Sequence, residues 1–290
     1  MSALACHRWR IGLAAASAIA MLGGCSTIQS RAMHSFATDL TNGILDQDDP
    51  GIARAGIPSW LLLVDGLVQG SPNDVDTLLA GAKLYSAYAG GFADNPEQAR
   101  RLAGHGLDYA RRAVCLDLPA VCKAAGGPFP PFHDAVATVG REHAEVLYVF
   151  ATAWAGNIQA NSDSWQAIAD IPKVQALLER VVAIDPTHAA GEPYMYLGVL
   201  ATLRPAALGG QPEQGKAWFE KALALSGGRN QMVRVMFAEH YARLVFDEKL
   251  FDSLLHDAIA ADPNAPGLTL VNVLAQQRAR KLLATAKDYF

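Results

Sequence analysis

Charge is scarce in this chain, and basic charge is nowhere concentrated. Charged residues make up 18% of its 290 positions, with 24 Lys and Arg against 28 Asp and Glu. No segment carries a basic stripe, which argues against a nucleic-acid-binding surface. Sustained alternation of apolar and polar residues between hairpin turns is also missing, so no sheet is expected. The four cysteines form no C-x-x-C, and no histidine stands at ligand spacing from them, so no metal site is expected. Neither H-E-x-x-H nor G-x-S-x-G occurs, which removes two common hydrolase sites. His143-Ala144-Glu145 has the His-x-Glu spacing of a zinc deaminase, but no P-C-x-x-C follows it. With 51% hydrophobic residues, the chain reads as globular and rich in core, without a catalytic constellation or a cofactor.

The N-terminus carries an export signal. His7, Arg8 and Arg10 precede Ile11–Leu22, an uncharged apolar run of 12 residues. A bilayer span needs about 20 residues, so residues 1–24 read as a signal peptide and not as a membrane anchor. The run ends in Leu22-Gly23-Gly24-Cys25, which resembles a bacterial lipobox. Cys25 is then the lipidation site that ties the mature chain to a membrane, and Ser26 in place of Asp favours the outer one. Removal of Arg8 and Arg10 takes the net charge from −4 to −6. Residues 25–50, with Asp46, Asp48 and Asp49, read as a lipidated tether and lead-in. Its reach from the membrane is roughly 25–30 Å if flexible. Residues 51–290 are expected to form a single all-helical domain.

Its organisation is repetitive. From Gly106, Val174, Gly215 and Phe251, apolar residues recur at offsets of 3, 4, 7 and 8. This spacing marks one face of a helix. The sets are Tyr109, Ala110, Ala113 and Val114; Leu177, Leu178, Val181 and Val182; Trp218, Phe219, Ala222 and Leu223; and Leu254, Leu255, Ala258 and Ile259. A Pro or Gly lies just beyond each and stops the helix. The starts are 68, 41 and 36 residues apart, which fits a unit of about 34 residues with insertions. The pattern resembles the second helix of a tetratricopeptide repeat, and Leu197-Gly198 and Phe237-Ala238 supply small residues expected in first helices. No copy is visible between positions 106 and 174, where Asp134–Ala155 reads as one long helix. The expected fold is all-α, a tetratricopeptide-like superhelix with degenerate repeats. Ser71-Pro72-Asn73-Asp74 reads as a loop and N-cap before a helix from Leu78 to Tyr88.

The stretch Gly209–Ala217, GGQPEQGKA, has the G-x-x-x-x-G-K spacing of a phosphate-binding loop. That loop needs a strand before it, a Ser or Thr after the lysine, and backbone N–H donors throughout. Here a helix precedes it, Ala217 follows Lys216, and Pro212 removes a donor. The stretch therefore reads as a loop and a helix start, and no nucleotide is expected. Cys115 and Cys122 would lie ~10 Å apart on a straight helix, too far to bridge. Pro119 between them breaks such a helix and brings a disulfide within reach, two buried thiols being the alternative. Trp154, Trp165, Tyr194, Tyr196 and Trp218 are candidates for an aromatic ligand pocket or, at helical spacing, for core packing. Arg204 either aims a cation at a ligand or complements the end of its own helix. The ligand- or partner-binding candidates are thus Trp154, Tyr194, Tyr196 and Arg204.

Several stretches together resemble the TRAP-transporter T-component (TatT) family of periplasmic lipoproteins. They run from PSWLLLVDGLVQGSPND and LYSAYAGGF through AWAGNIQANSDSW, YLGVLATLRPAALGGQPEQGKAWFEKALALSGGRN and the closing APGLTLVNVLAQQRARKLLATAKDYF. The resemblance implies an all-helical protein, often a homotrimer, that associates with the substrate-binding P component of a tripartite ATP-independent periplasmic transporter, with a small ligand as a secondary expectation. It implies no catalysis. A general tetratricopeptide adaptor in envelope assembly is the alternative.

Overall fold

The computed structural model describes residues 43–290. The expected signal peptide, the expected lipidation site Cys25 and most of the expected tether lie outside the described residues. Among those described there are thirteen α-helices and no strand. They are α1 (Pro50–Gly70), α2 (Val75–Phe92), α3 (Pro96–Asp117), α4 (Pro119–Ala125), α5 (Phe129–Ala137), α6 (Ala144–Ala160), α7 (Trp165–Ile168), α8 (Ile171–Ile184), α9 (Glu192–Ala201), α10 (Pro212–Leu225), α11 (Gln231–Met236), α12 (Glu248–Ala260) and α13 (Thr269–Ala284). The helix α11 continues into a π-helical turn, Phe237–Ala242.

Local chemistry fixes many of the starts. Asp49, Asp74, Asn95 and Asp247 each turn a side-chain oxygen onto a backbone N–H of the helix that follows. Each satisfies one of the four donors that a helix leaves unpaired at its N-terminus. Proline stands in the first turn of α1, α3, α4, α8 and α10, where its missing N–H costs nothing. Pro58 is different, since it lies inside α1 and removes the donor that Arg54 O would have met. Tyr88 of α2 donates its hydroxyl to that carbonyl at 3.4 Å.

The helices pack as consecutive pairs, α2 with α3, α6 with α8, α9 with α10, and α11 with α12. Each pair rests on the next. All four periodic segments fall on the second helix of a pair, and their central residues Ala110, Ala113, Leu177, Leu178, Phe219, Ala222, Leu255 and Ala258 are fully buried. The small residues opening two of them have a steric reason. A Cβ on Gly106 would lie 2.8 Å from Ser86 Oγ, and one on Gly215 would lie 2.6 Å from Thr202 Cγ2. Both glycines let the second helix approach the first more closely than any side chain allows.

One expected helix is two. Asp134–Ala155 breaks at Thr138–Gly140, passes through a 3-10 turn at Arg141–His143 and restarts as α6. The break is held by a distant residue, because Arg180 of α8 donates to Val139 O at 2.9 Å. The insertion between the first two pairs is α4 and α5. Leu118 ends α3, and Pro119 starts α4. That turn sets Cys115 and Cys122 with Cα atoms 4.8 Å apart, joined as a disulfide.

The core falls into two clusters. The larger runs through α1 to α9, with Leu78, Val114, Phe132, Leu147, Phe150, Leu177 and Leu197 fully buried. The smaller joins α9 to α13 around Phe219, Val235, Phe251 and Leu255. The helix α13 belongs to both, giving Leu270 to the first and Ala275 and Ala279 to the second.

Candidate functional site

Between α8 and α9 the backbone takes a conformation that L-residues avoid. Ala189, Ala190 and Gly191 have φ of 45°, 50° and 89°. A non-glycine residue held there costs on the order of 1–3 kcal/mol, and such strain gathers where a protein must aim specific groups. Gly191 has a further constraint, since a Cβ on it would meet Leu225 Cβ at 2.7 Å. The groups aimed by this turn are His188 on one side and Glu192 on the other.

His188 sits between two carboxylates. Its Nε2 lies 3.0 Å from Glu145 Oε2 and its Nδ1 3.3 Å from Asp185 Oδ2. The Glu145 carboxylate beside it raises the pKa of the imidazole, against the opposing effect of its burial. The same contact, with help from Lys83 of α2, holds the Glu145 carboxyl down at about 2. Lys83 and Glu145 form an ion pair between α2 and α6.

Glu192 is the contrasting carboxylate. Tyr148 of α6 donates to its Oε2 at 2.5 Å, and Asn230, the N-cap of α11, donates to Oε1 at 3.4 Å. Burial nevertheless pushes its pKa up, and burial likewise raises the Tyr148 and Tyr196 hydroxyls. The Tyr148 ring meets His188 edge-on at 5.0 Å and Tyr196 at 6.4 Å. A polar chain thus runs Lys83, Glu145, His188, then Tyr148, Glu192, Asn230, touching the first helix of every pair. Two carboxylates of opposite tendency flank the contact between His188 and Tyr148, one held ionised and one pushed towards neutrality. The arrangement can hold a proton and fix helix positions. It contains no nucleophile with an adjacent base. Among the described residues no group of three or more His, Cys, Asp or Glu is placed to hold a metal ion.

The residues singled out from the sequence are not brought into one pocket. Trp154 is 3% exposed and packs against Phe132 and Phe150, with the Lys173 ammonium 5.6 Å from its ring centre. Tyr194 and Tyr196 are half-buried on α9, wedged between the two core clusters. Arg204 is exposed beyond the end of α9, and Trp165 is 85% exposed. The stretch Gly209–Ala217 is the turn and first helical residues of α10. Sequence reasoning missed Tyr148, His188 and Glu192. The only local sign was Asp185 three residues before His188, and nothing in the sequence marks two alanines as left-handed.

Two open clefts complete the surface. One, of about 410 Å³, separates the start of α1 and end of α2 from α13, and Arg54, Phe92, Met232, Leu274, Arg278 and Lys281 line it. The other, of about 400 Å³, lies beside the π turn, lined by Leu203, His240, Arg243, Phe246 and Tyr289.

Comparison with known proteins gives this architecture a family. Residues 46–290 match the family model described as TRAP transporter T-component. The chain is also similar to an uncharacterized protein of Treponema pallidum (strain Nichols), 24% identical over 276 residues, covering 89% of this chain and 85% of that protein.

Proposed function

The chain belongs to the TRAP transporter T-component family, and we propose on that footing that it is the membrane-anchored accessory subunit of a TRAP-type solute uptake system, binding the substrate-binding P component in the periplasm. Membership implies an accessory role in transport and association with other TRAP components. It is not a family of known enzymes. The observation that carries the reading is the extent of the match, which takes in every helix from α1 to α13. Acylation of Cys25 would hold the chain at the periplasmic face of the outer membrane. Confinement to a surface raises the effective concentration seen by a diffusing partner. Helix pairs stacked in order offer an extended surface for another chain, and homotrimer formation would present three such surfaces. A small ligand, if one is carried, would be held near Tyr194 and Tyr196 on α9, of which Tyr196 meets the Tyr148 ring of the polar chain.

Co-expression of the full chain with a P component, followed by affinity purification, tests this. The P component is expected to co-purify. Recovery of envelope-assembly proteins without it would favour the adaptor reading. Labelled fatty acid should enter the wild type and not Cys25→Ser.

A further inference from the structure

The basic charge that the sequence scatters is gathered by the fold at one cleft. Arg54 of α1 and Arg278 and Lys281 of α13 line the space of about 410 Å³ between those helices, and no carboxylate lines it. That reverses the charge of the chain as a whole, which is −4. Both arginines are held from one edge. Arg54 uses Nη1 alone for Phe92 O and Asp94, with its guanidinium 5.7 Å from the Phe92 ring centre. Arg278 uses Nε and Nη2 for Glu239, an acid that lines the second cleft instead. These contacts leave Arg54 Nε and Nη2 and Arg278 Nη1 for a further acceptor, and Lys281 forms no ion pair among the described residues.

Gly90 adds a second, independent sign. It lies exposed near the end of α2, at the cleft, and a Cβ on it would meet nothing within 4 Å. Its backbone is not left-handed, so neither packing nor conformation calls for glycine, which weakens a helix relative to alanine. What the missing side chain provides is room at the mouth of the cleft.

We propose that this cleft binds a small organic phosphate. Arg54, Arg278 and Lys281 hold the phosphoryl group, and Phe92, Met232 and Leu274 take the carbon body. A phosphoryl group has three terminal oxygens for three separate cations, whereas a single arginine fork already satisfies the two oxygens of a carboxylate. The bonds to Asp94, Phe92 O and Glu239 fix the arginines before a ligand arrives, which lowers the ordering cost of binding. The volume is that of a small-molecule site. This inference stands on the lining of the cleft and does not rest on the transporter reading.

The test is calorimetric titration of the full chain, purified in neutral detergent at low salt, with phenyl phosphate as the probe. The wild type is expected to bind it. Lys281→Ala should lower the affinity about tenfold, and Gly90→Leu, which fills the cleft without changing its charge, should abolish binding. Lys249→Ala, at an exposed lysine of α12, should bind as the wild type does. Benzoate should bind about tenfold more weakly than phenyl phosphate. Absence of phenyl phosphate binding, equal affinity for benzoate, unchanged affinity in Lys281→Ala and Gly90→Leu, or an equal loss in Lys249→Ala overturns the proposal. Retention of the wild type on phosphatidylglycerol vesicles, lost in Lys281→Ala and without phenyl phosphate binding, overturns it in favour of a lipid headgroup.

Discussion

Helices α1 and α6 are both apolar along most of their length, yet they have opposite fates. In α6, ten of 17 residues are buried, and in α1 only four of 21. The difference lies in the neighbours. Helix α6 is packed by α2, α3 and α8, whereas α1 rests mainly on α2, with a light touch from α13. By length and composition α1 could even cross a membrane. Its buried inner face, Ala53, Ile57, Leu61 and Val68, holds it on the domain together with Asp65, which receives hydroxyl hydrogen bonds of 2.7 Å from both Tyr85 and Tyr109. Apolar character gives a helix a reason to be covered, and the surrounding chain decides what covers it.

That contrast can be broken from either side. Phe150→Ala should have the largest effect, because Phe150 is fully buried in α6 and the cavity left behind costs about 3–5 kcal/mol. Thermal unfolding should show a correspondingly lower midpoint. Asp65→Ala comes next. It leaves the Tyr85 and Tyr109 hydroxyls without their acceptor, a loss of about 1–3 kcal/mol, measured by urea denaturation.

A smaller effect should follow pH at the start of α6. Glu145 has its pKa lowered to about 2 from 4.5, so its stabilisation is complete above 4.5 and fades as pH falls towards 2. His188 has its pKa raised above 6.5, so its share is complete below 6.5 and is lost as pH rises through the folded value. The gap in thermal midpoint between wild type and Glu145→Gln should therefore be widest from pH 4.5 to 6.5. A gap independent of pH would mean that the pair does not couple. Leu62→Glu on the outer face of α1 should change monomer stability by no more than about 0.5 kcal/mol, and a larger loss would mean that this face is covered from within the same chain.

The second helices were legible because each one states its own case. Their buried faces recur at helical offsets, and a Pro or Gly closes each, so local sequence suffices. The restart of α6 was not legible for the opposite reason. Thr138 and Gly140 permit a break, but the contact that holds it comes from Arg180, about forty positions later in the chain. The polar chain through His188 and Glu192 was hidden in the same way, because its members come from α2, α6, the turn after α8, and the cap of α11. The aromatic residues were found and their surroundings were not. Trp154 has the size for a ligand wall, yet Phe132, Phe150 and Lys173 fill the space around it. Part of the exposed face of α1 lies in the apolar run Trp60–Val64, but which side faces out depends on where α2 lies.

Helix α13 has a consequence for how the protein comes into being. A linear array of helix pairs can begin to order anywhere, since each unit needs only its neighbour. Here Leu270 completes the cluster begun by α1 and α2, and Gly267 N donates to Asp46 at 2.6 Å. The first part of the chain to emerge therefore waits for nearly the last before its core is closed. Contacts between such distant positions slow folding, because a long loop must be ordered before they form. Until α13 docks, that cluster lacks Leu270 while the outer face of α1 is also exposed, and uncovered apolar surface of this kind makes an incompletely folded chain prone to aggregate.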